Sequence, residues 1–203
     1  MIDAPEQQIQ KIHPVVLPVP SAVRELKGVD KTKALSSLAR KALHLSAGKL
    51  GVDIGALKKD ENGAPLPSNG LYWSLSHCNT CAAAVAAPAP IGIDVEKIAP
   101  YPPELVPEVA DASEWALGGG EITPLLFFSY WTAKEAVLKA TGVGLAGLAE
   151  CRVTHMSNSG AIVQYLDRSW QVIFSTGMAT HVIAITDQGL PLSYHFGPFP
   201  MDR

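Results

Sequence analysis

Two segments of opposite periodicity constrain the fold of this chain most strongly, and both carry charged side chains. Residues 91–96 alternate apolar and acidic positions, as a strand does, so Asp94 and Glu96 point to the same face. Residues 124–141 have the spacing of a long helix, in which Glu135 and Lys139 are i,i+4 neighbours. The sequence therefore predicts a strand and a helix that can bring three carboxylates and a lysine together.

Carboxylates in this arrangement suit a hard metal ion. Mg²⁺ is commonly held by a few carboxylates, while substrate phosphates and waters complete its octahedron. Asp94, Glu96 and Glu135 are therefore candidate metal ligands, and Lys139 is a candidate partner for a phosphate. Taken alone, each pair has a simpler explanation, since acids at a strand end are usually solvated and a helical ion pair contributes only about 0.3–0.5 kcal/mol.

The composition is that of a globular chain. Its 203 residues, of which 47% are hydrophobic, suffice for one large domain or two smaller ones. The net charge of −3 gives no overall attraction to nucleic acid or to anionic membranes. No apolar run approaches a membrane span, and residues 1–6 lack the pattern of a signal peptide. The sequence predicts a cytoplasmic protein that binds neither nucleic acid nor membrane.

The three cysteines do not predict a disulfide framework, because their number is odd. The spacing of Cys78 and Cys81 can indicate redox chemistry or half of a zinc site. A redox pair would open a helix, however, whereas strand-like residues 82–87 follow this one. The sequence offers no second pair, and Cys151 is solitary. The pattern therefore argues against a redox or metal-binding role for the pair.

Other predicted elements surround these motifs. A helix is expected within residues 21–51, strands at 71–75, 81–87 and 91–96, and a short helix capped by Ser113. Prolines between residues 100 and 107 separate two halves of the chain, and Gly142 is expected to end the long helix. Residues 170–185 repeat the strand, turn and strand of residues 73–86, which is consistent with a duplicated unit.

Several short blocks, in a common order, resemble the 4'-phosphopantetheinyl transferases of the surfactin-synthetase-activating type. The matching blocks are Asn62-Gly-Ala-Pro65, Trp73-Ser-Leu-Ser-His77, Gly92-Ile-Asp-Val-Glu96, Trp131-Thr-Ala-Lys-Glu-Ala-Val-Leu-Lys139 and Gly142-Val-Gly-Leu145. Each block is weak by itself, and their order and spacing carry the resemblance, which spans roughly residues 35–153.

The resemblance implies a fold and a reaction. The fold would be α+β, with two similar halves related by a pseudo-two-fold axis and the active site between them. We expect these halves at residues 1–98 and 99–203, in a monomer with a pseudo-dimeric fold. The reaction would transfer 4'-phosphopantetheine from coenzyme A to a serine of an apo acyl, peptidyl or polyketide carrier protein. Adenosine 3',5'-bisphosphate would be released, and Mg²⁺ would neutralise charge on the pyrophosphate.

The resemblance also implies roles for the charged residues. Asp94, Glu96 and Glu135 would hold Mg²⁺, which makes Asp94 essential to catalysis. Glu135 would in addition activate the serine hydroxyl, directly or through water. Lys139 would contact the α-phosphate of coenzyme A and stabilise the leaving bisphosphate.

Contacts to coenzyme A follow from the same resemblance. They fall on Ser76, His77, Lys139, Gly63, Pro65, Arg40 and Lys31. Ser76 and His77 would hold phosphates, the backbone of the Gly63 loop would lie against adenine, and Lys31 or Arg40 would lie near the 3'-phosphate. One departure stands out, because Ala64 occupies the position of a family lysine and removes a cation from this site.

Two alternatives remain open at the level of sequence. The first is a non-catalytic module of the same fold that binds coenzyme A or a carrier protein, although the intact acidic residues argue against it. The second is another Mg²⁺-dependent phosphoryl-transfer enzyme or nuclease. The acidic balance and the lack of a basic stripe disfavour a nucleic-acid substrate.

Overall fold

The computed structural model describes residues 9–175 and 177–199, and it has the predicted α+β character with two separate sheets. Residues 1–6, which bear on the signal-peptide prediction, and position 176, inside the second strand–turn–strand unit, lie outside the described residues. Across the described ranges, no helix has both the length and the apolar character needed to cross a membrane.

Five α-helices and nine strands follow one another along the described chain. The strands are β1 (Val15–Pro18), β2 (Tyr72–His77), β3 (Cys81–Ala87), β4 (Ile93–Lys97), β5 (Cys151–Ser157), β6 (Gly160–Tyr165), β7 (Arg168–Phe174), β8 (His181–Thr186) and β9 (His195–Phe196). The helices are α1 (Ser21–Glu25), α2 (Gly28–Lys49), α3 (Val106–Val109), α4 (Ala112–Leu117) and α5 (Pro124–Thr141). Pro103–Leu105 and Gly144–Glu150 form 3₁₀ turns.

Two sheets and two long helices enclose the core. The first sheet has the order β2-β3-β1-β9 and the second the order β4-β8-β7-β6-β5. Only β1 and β9 pair in parallel among the strands described. Alternate residues of β8 explain the layering, since Ile183 and Ile185 face the first sheet while Ala184 packs with residues of α5. Helix α2 covers the other face of the first sheet.

The long helix α5 begins and ends where the sequence predicts. The Thr123 hydroxyl accepts the Leu126 N–H at 3.2 Å, and Pro124 takes the first helical position, where no N–H is needed. Gly142 has a φ of 76°, the left-handed conformation that glycine adopts without penalty at a helix end. The predicted bounds of 124–141 are confirmed.

The predicted cap of the short helix α4 is wrong. Asp111, two residues before Ser113, is the capping residue, and its carboxylate accepts the N–H groups of Ser113 and Glu114 at 2.8 and 2.9 Å. The Glu114 carboxylate in turn accepts the Asp111 N–H at 3.3 Å. This reciprocal pairing satisfies more of the free N–H groups of the first turn than a serine cap alone would.

Gly92 sets how closely β4 approaches α5. A Cβ atom at this position would lie 1.8 Å from the Ala136 carbonyl oxygen and 2.8 Å from the Ala140 nitrogen, both backbone atoms. Only glycine leaves room for so close a contact. The glycine of the Gly-Ile-Asp block therefore allows the following acidic strand to pack directly against the helix that carries Glu135.

The two sheets meet at their edge strands, β2 and β4. The hydroxyls of Ser74 and Ser76 accept the backbone N–H groups of Ile93 and Val95 at 3.1 and 3.3 Å. Strand β4, which precedes the predicted boundary at residue 98, belongs to the second sheet, and β9 belongs to the first. The division into two domains and the pseudo-two-fold relation of the halves stay predictions.

Candidate active site

A cavity of about 370 Å³ lies where β2 and β4 meet, between α2 and α5. The predicted site residues that line it are Arg40, Ser76, His77, Asp94, Glu96, Glu135 and Lys139. The two acids of β4 and the two charged residues of α5, about forty positions apart along the chain, thus face one space. Trp131 also forms part of the wall.

Asp94 is the acid of this cavity that makes the most polar contacts with other described side chains. One carboxylate oxygen, Oδ1, accepts from Ser76 Oγ at 2.6 Å and from Lys139 Nζ at 2.5 Å. The other, Oδ2, is buried and has no hydrogen-bond partner among the described residues. Buried polar atoms are nearly always partnered, so an unpaired carboxylate oxygen inside an acidic cavity fits a metal ligand.

The neighbouring acids are also poorly solvated. Burial and the negative charge of Asp94 raise the pKa of Glu96 to about 8. Burial likewise raises the pKa of Glu135, although the ammonium of Lys139, 3.9 Å from Glu135 Oε2, opposes the shift. Crowded carboxylates of this kind keep their charge most readily around a cation. The donor set therefore suits Mg²⁺.

Ser76 contributes to the shape of the site. Its hydroxyl donates to Asp94 and accepts from the Val95 N–H, so one side chain fixes both the acidic strand and its first carboxylate. These contacts are within the protein, and the contact to coenzyme A expected from the sequence stays a prediction. His77, the next residue, also lines the cavity.

Three of the four residues predicted near the nucleotide line a cavity, and Lys31 does not. Gly63 and Pro65 line an adjoining cavity of about 200 Å³ that shares Lys139 with the first, and Arg40 lines the first. Lys31 lies in the first turns of α2, where its ammonium donates to the Arg24 carbonyl at 3.2 Å. It is not part of either wall.

Lys59 is a further candidate site residue, which the sequence motifs did not indicate. This exposed residue lines both cavities, and its backbone pairs with Pro65 across the Gly63 turn. Ala64 lies at the wall of the second cavity, so Lys59 brings a cation close to the position where the family lysine is absent. Its place just before the turn was the available signal.

The other lysine of the helical block has a different environment. Lys134 is buried, pairs with Glu114 at 2.8 Å and donates to the Val109 carbonyl at 2.6 Å. Glu114 also accepts the Val153 N–H at 2.7 Å. This satisfied ion pair joins α4, α5 and β5 and lies away from the cavity, which gives Lys134 a structural role.

Comparison with known proteins agrees with the motifs. Residues 90–186, which contain β4, α5 and the acids of the cavity, match the sequence model of the 4'-phosphopantetheinyl transferase superfamily. This segment, slightly under half of the chain, is thus similar to that superfamily. Its members therefore supply the context for the geometry described above.

Curated relatives of this superfamily match the chain over part of their length. HetI, a 4'-phosphopantetheinyl transferase from Nostoc sp., is 37% identical over 119 residues, which are 52% of this chain and 50% of HetI. Enterobactin synthase component D from Salmonella typhimurium is 37% identical over 99 residues, 46% of this chain and 42% of that protein. The 4'-phosphopantetheinyl transferase Svp from Streptomyces mobaraensis is 28% identical over 146 residues, which are 68% of this chain and 57% of Svp. The matches thus span about half the length of these relatives.

Proposed function

We propose that this protein transfers 4'-phosphopantetheine from coenzyme A to a serine of an apo carrier protein, with Mg²⁺ and with release of adenosine 3',5'-bisphosphate. The observation that carries the proposal is the convergence of Asp94, Glu96, Glu135 and Lys139 on one cavity, with a buried Asp94 oxygen left unpaired. The relatives named 4'-phosphopantetheinyl transferases support the same reaction class. A cytoplasmic location and a monomeric state, with halves related by a pseudo-two-fold axis, belong to the same proposal.

The proposed metal site uses the three carboxylates of the cavity. Asp94 would offer its unpaired Oδ2, and Glu96 and Glu135 would complete the protein ligands. When bound, Mg²⁺ would neutralise negative charge that develops on the pyrophosphate of coenzyme A.

The remaining steps fall to side chains of this chain. Glu135, which lines the cavity beside Lys139, would accept a proton from the carrier serine, directly or through water. Lys139 would hold the α-phosphate and stabilise charge on the leaving group. His77 and Arg40, on the same wall, would bind further phosphates.

Intact mass spectrometry tests the proposal directly. The protein is incubated with coenzyme A, Mg²⁺ and a panel of fatty-acid, polyketide and nonribosomal peptide apo carrier proteins. At least one carrier should gain the mass of phosphopantetheine, and only with metal present. Asp94→Ala and Glu135→Ala should each abolish transfer, whereas Glu108→Ala, an exposed acid outside the cavity, should not.

The result also separates the proposal from its rival. Coenzyme A binding without transfer to any carrier would indicate a non-catalytic binding module instead. Near-normal turnover by Glu135→Ala would contradict the role of this residue as base and metal ligand, even if transfer itself were found.

A further inference from the structure

A second group of metal-binding side chains lies outside the active-site cavity, at the turn between β2 and β3. The thiols of Cys78 and Cys81 are 3.6 Å apart, and His181, the first residue of β8, faces them from the second sheet. The three possible ligand atoms lie within 4.8 Å of one another. Cys81 and His181 are buried, and Cys78 is half-buried.

The spacing of the thiols fits tetrahedral zinc. With Zn–S bonds of about 2.3 Å, two sulfur ligands of a tetrahedral site stand about 3.8 Å apart. The turn is already closed by a hydrogen bond from the Cys78 N–H to the Cys81 carbonyl, 2.9 Å long, so both thiols project from one small loop. A zinc ion could therefore enter with little change in the backbone.

The hydrogen bonds of His181 also suit a ligand. Its Nδ1 lies 3.0 Å from the Thr180 hydroxyl, and such an outer contact commonly fixes the ring of a metal-binding histidine. Its Nε2 lies 2.6 Å from the Thr80 hydroxyl, which is also 3.2 Å from the Cys78 thiol. The Thr80 hydroxyl thus lies between Cys78 and His181. Rotation of the Thr80 side chain about its Cα–Cβ bond would leave the Cys78 sulfur and the His181 nitrogen available to a metal ion.

We propose that Cys78, Cys81 and His181 bind a zinc ion that ties the β2–β3 turn to β8. Two thiolates and an imidazole favour zinc over the hard cations that suit the carboxylates of the active-site cavity. A neighbouring cavity lined by Thr80, Thr180 and His181 gives water access to the fourth coordination position. The ion would join the two sheets directly after His77, and so hold one wall of the active-site cavity in place.

The proposed zinc site gives the cysteine pair a role that the sequence pattern alone argues against. The sequence disfavours such a role because a strand follows the pair and no second cysteine pair is present. His181 comes much later in the sequence, and only the contact between the two sheets brings it to the turn.

Metal analysis of the full-length protein tests the site. After expression in zinc-supplemented medium, the wild type should carry about one zinc ion per chain by inductively coupled plasma mass spectrometry. Cys81→Ala and His181→Ala should lower that content by about tenfold or more. Cys151→Ala, the matched control, removes a buried cysteine remote from the cluster and should retain the zinc. Asp94→Asn should also retain it, because Asp94 belongs to the other site.

A measurement on the unmutated protein guards against variants that fail to fold. Metal-free wild type titrated with Co²⁺ should develop the thiolate-to-cobalt charge-transfer absorption of a tetrahedral sulfur site, and a zinc chelator should lower its melting temperature. Absence of this absorption, or a wild type that takes up no zinc, would overturn the proposal. So would zinc lost on Asp94→Asn but kept on Cys81→Ala, since the ion would then belong to the carboxylates.

Discussion

At the scale of single residues, the Asp94 carboxylate is held by two neighbours that differ in kind. Lys139 is partly exposed and forms an ion pair with the carboxylate. Ser76 is buried and fixes the position of the carboxylate, because its hydroxyl bonds both Asp94 and the Val95 N–H. A serine two residues before it, Ser74, acts in the same way on Ile93. The alternating serines of β2 therefore bind the acidic strand, a role that the family resemblance did not indicate.

Replacing Ser76 tests this positioning role. Ser76→Ala leaves the Val95 N–H without its acceptor and removes one of the two donors to Asp94 Oδ1. An unsatisfied buried polar group costs about 1–3 kcal/mol. We expect the free energy of unfolding to fall by that amount and phosphopantetheine transfer to weaken. Denaturant unfolding and the mass-based transfer assay measure the two effects. Ser129→Ala is the control, because its hydroxyl bonds only the Leu125 carbonyl one turn back, and its stability should hardly change. An unaltered Ser76→Ala protein would contradict the argument.

The absent family lysine at position 64 leads to a second prediction at this scale. Ala64→Lys should tighten binding of coenzyme A relative to its 3'-dephospho form by about tenfold to hundredfold, because a charged contact is worth about 1.5–3 kcal/mol. Arg40→Ala and Lys59→Ala should loosen it if these cavity residues replace the missing cation. Calorimetric titration with both ligands measures the difference.

The adjacent Lys58 provides the control for that experiment, since it lines neither cavity. Lys58→Ala should bind both ligands as the wild type does. If none of the variants changes the preference between the two ligands, the 3'-phosphate is not bound at this wall, and the placement of the nucleotide is wrong.

At the scale of elements, the contact between β4 and α5 governs the site. The sequence predicts both elements, since alternation identifies the strand and the Pro124 and Gly142 signals bound the helix. It could not predict that α5 would touch the backbone of residue 92, because such contacts depend on how the two elements pack. The cap of α4 was misplaced for a related reason, since Asp111 and Ser113 are both acceptable caps and the pairing with Glu114 decides between them.

Gly92→Ala should disrupt this contact. The added Cβ would meet backbone atoms of Ala136 and Ala140, which cannot move aside as a flexible side chain would. Overpacking in a core typically costs about 1–3 kcal/mol, and a clash with helix backbone should reach or exceed the upper value. Gly48→Ala, in open space near the end of α2, should instead be neutral or stabilising by about 0.5–1 kcal/mol. Urea unfolding of both variants makes the comparison, and equal effects would contradict the close-packing argument.

At the scale of the whole molecule, the two sheets exchange strands across the predicted boundary. The convergence of the carboxylates could be predicted from sequence because they lie in short local motifs. The approach of His181 to Cys78 could not, since it depends on how distant segments pack. The same holds for the strand exchange, which places β4 beside β8 and β9 beside β1.

The exchange predicts that the chain unfolds as one unit. A fragment of residues 1–98 would keep β4 without its partner β8, and a fragment of residues 99–203 would leave one edge of the second sheet open. The apolar cluster between the sheets also draws on both fragments, with Val85 and Ile93 on one side and Ile183 on the other. Scanning calorimetry of the whole chain should therefore show a single transition whose calorimetric and van't Hoff enthalpies agree. Separately expressed fragments should not fold alone, and two resolved transitions in the intact protein would show that the halves are independent domains.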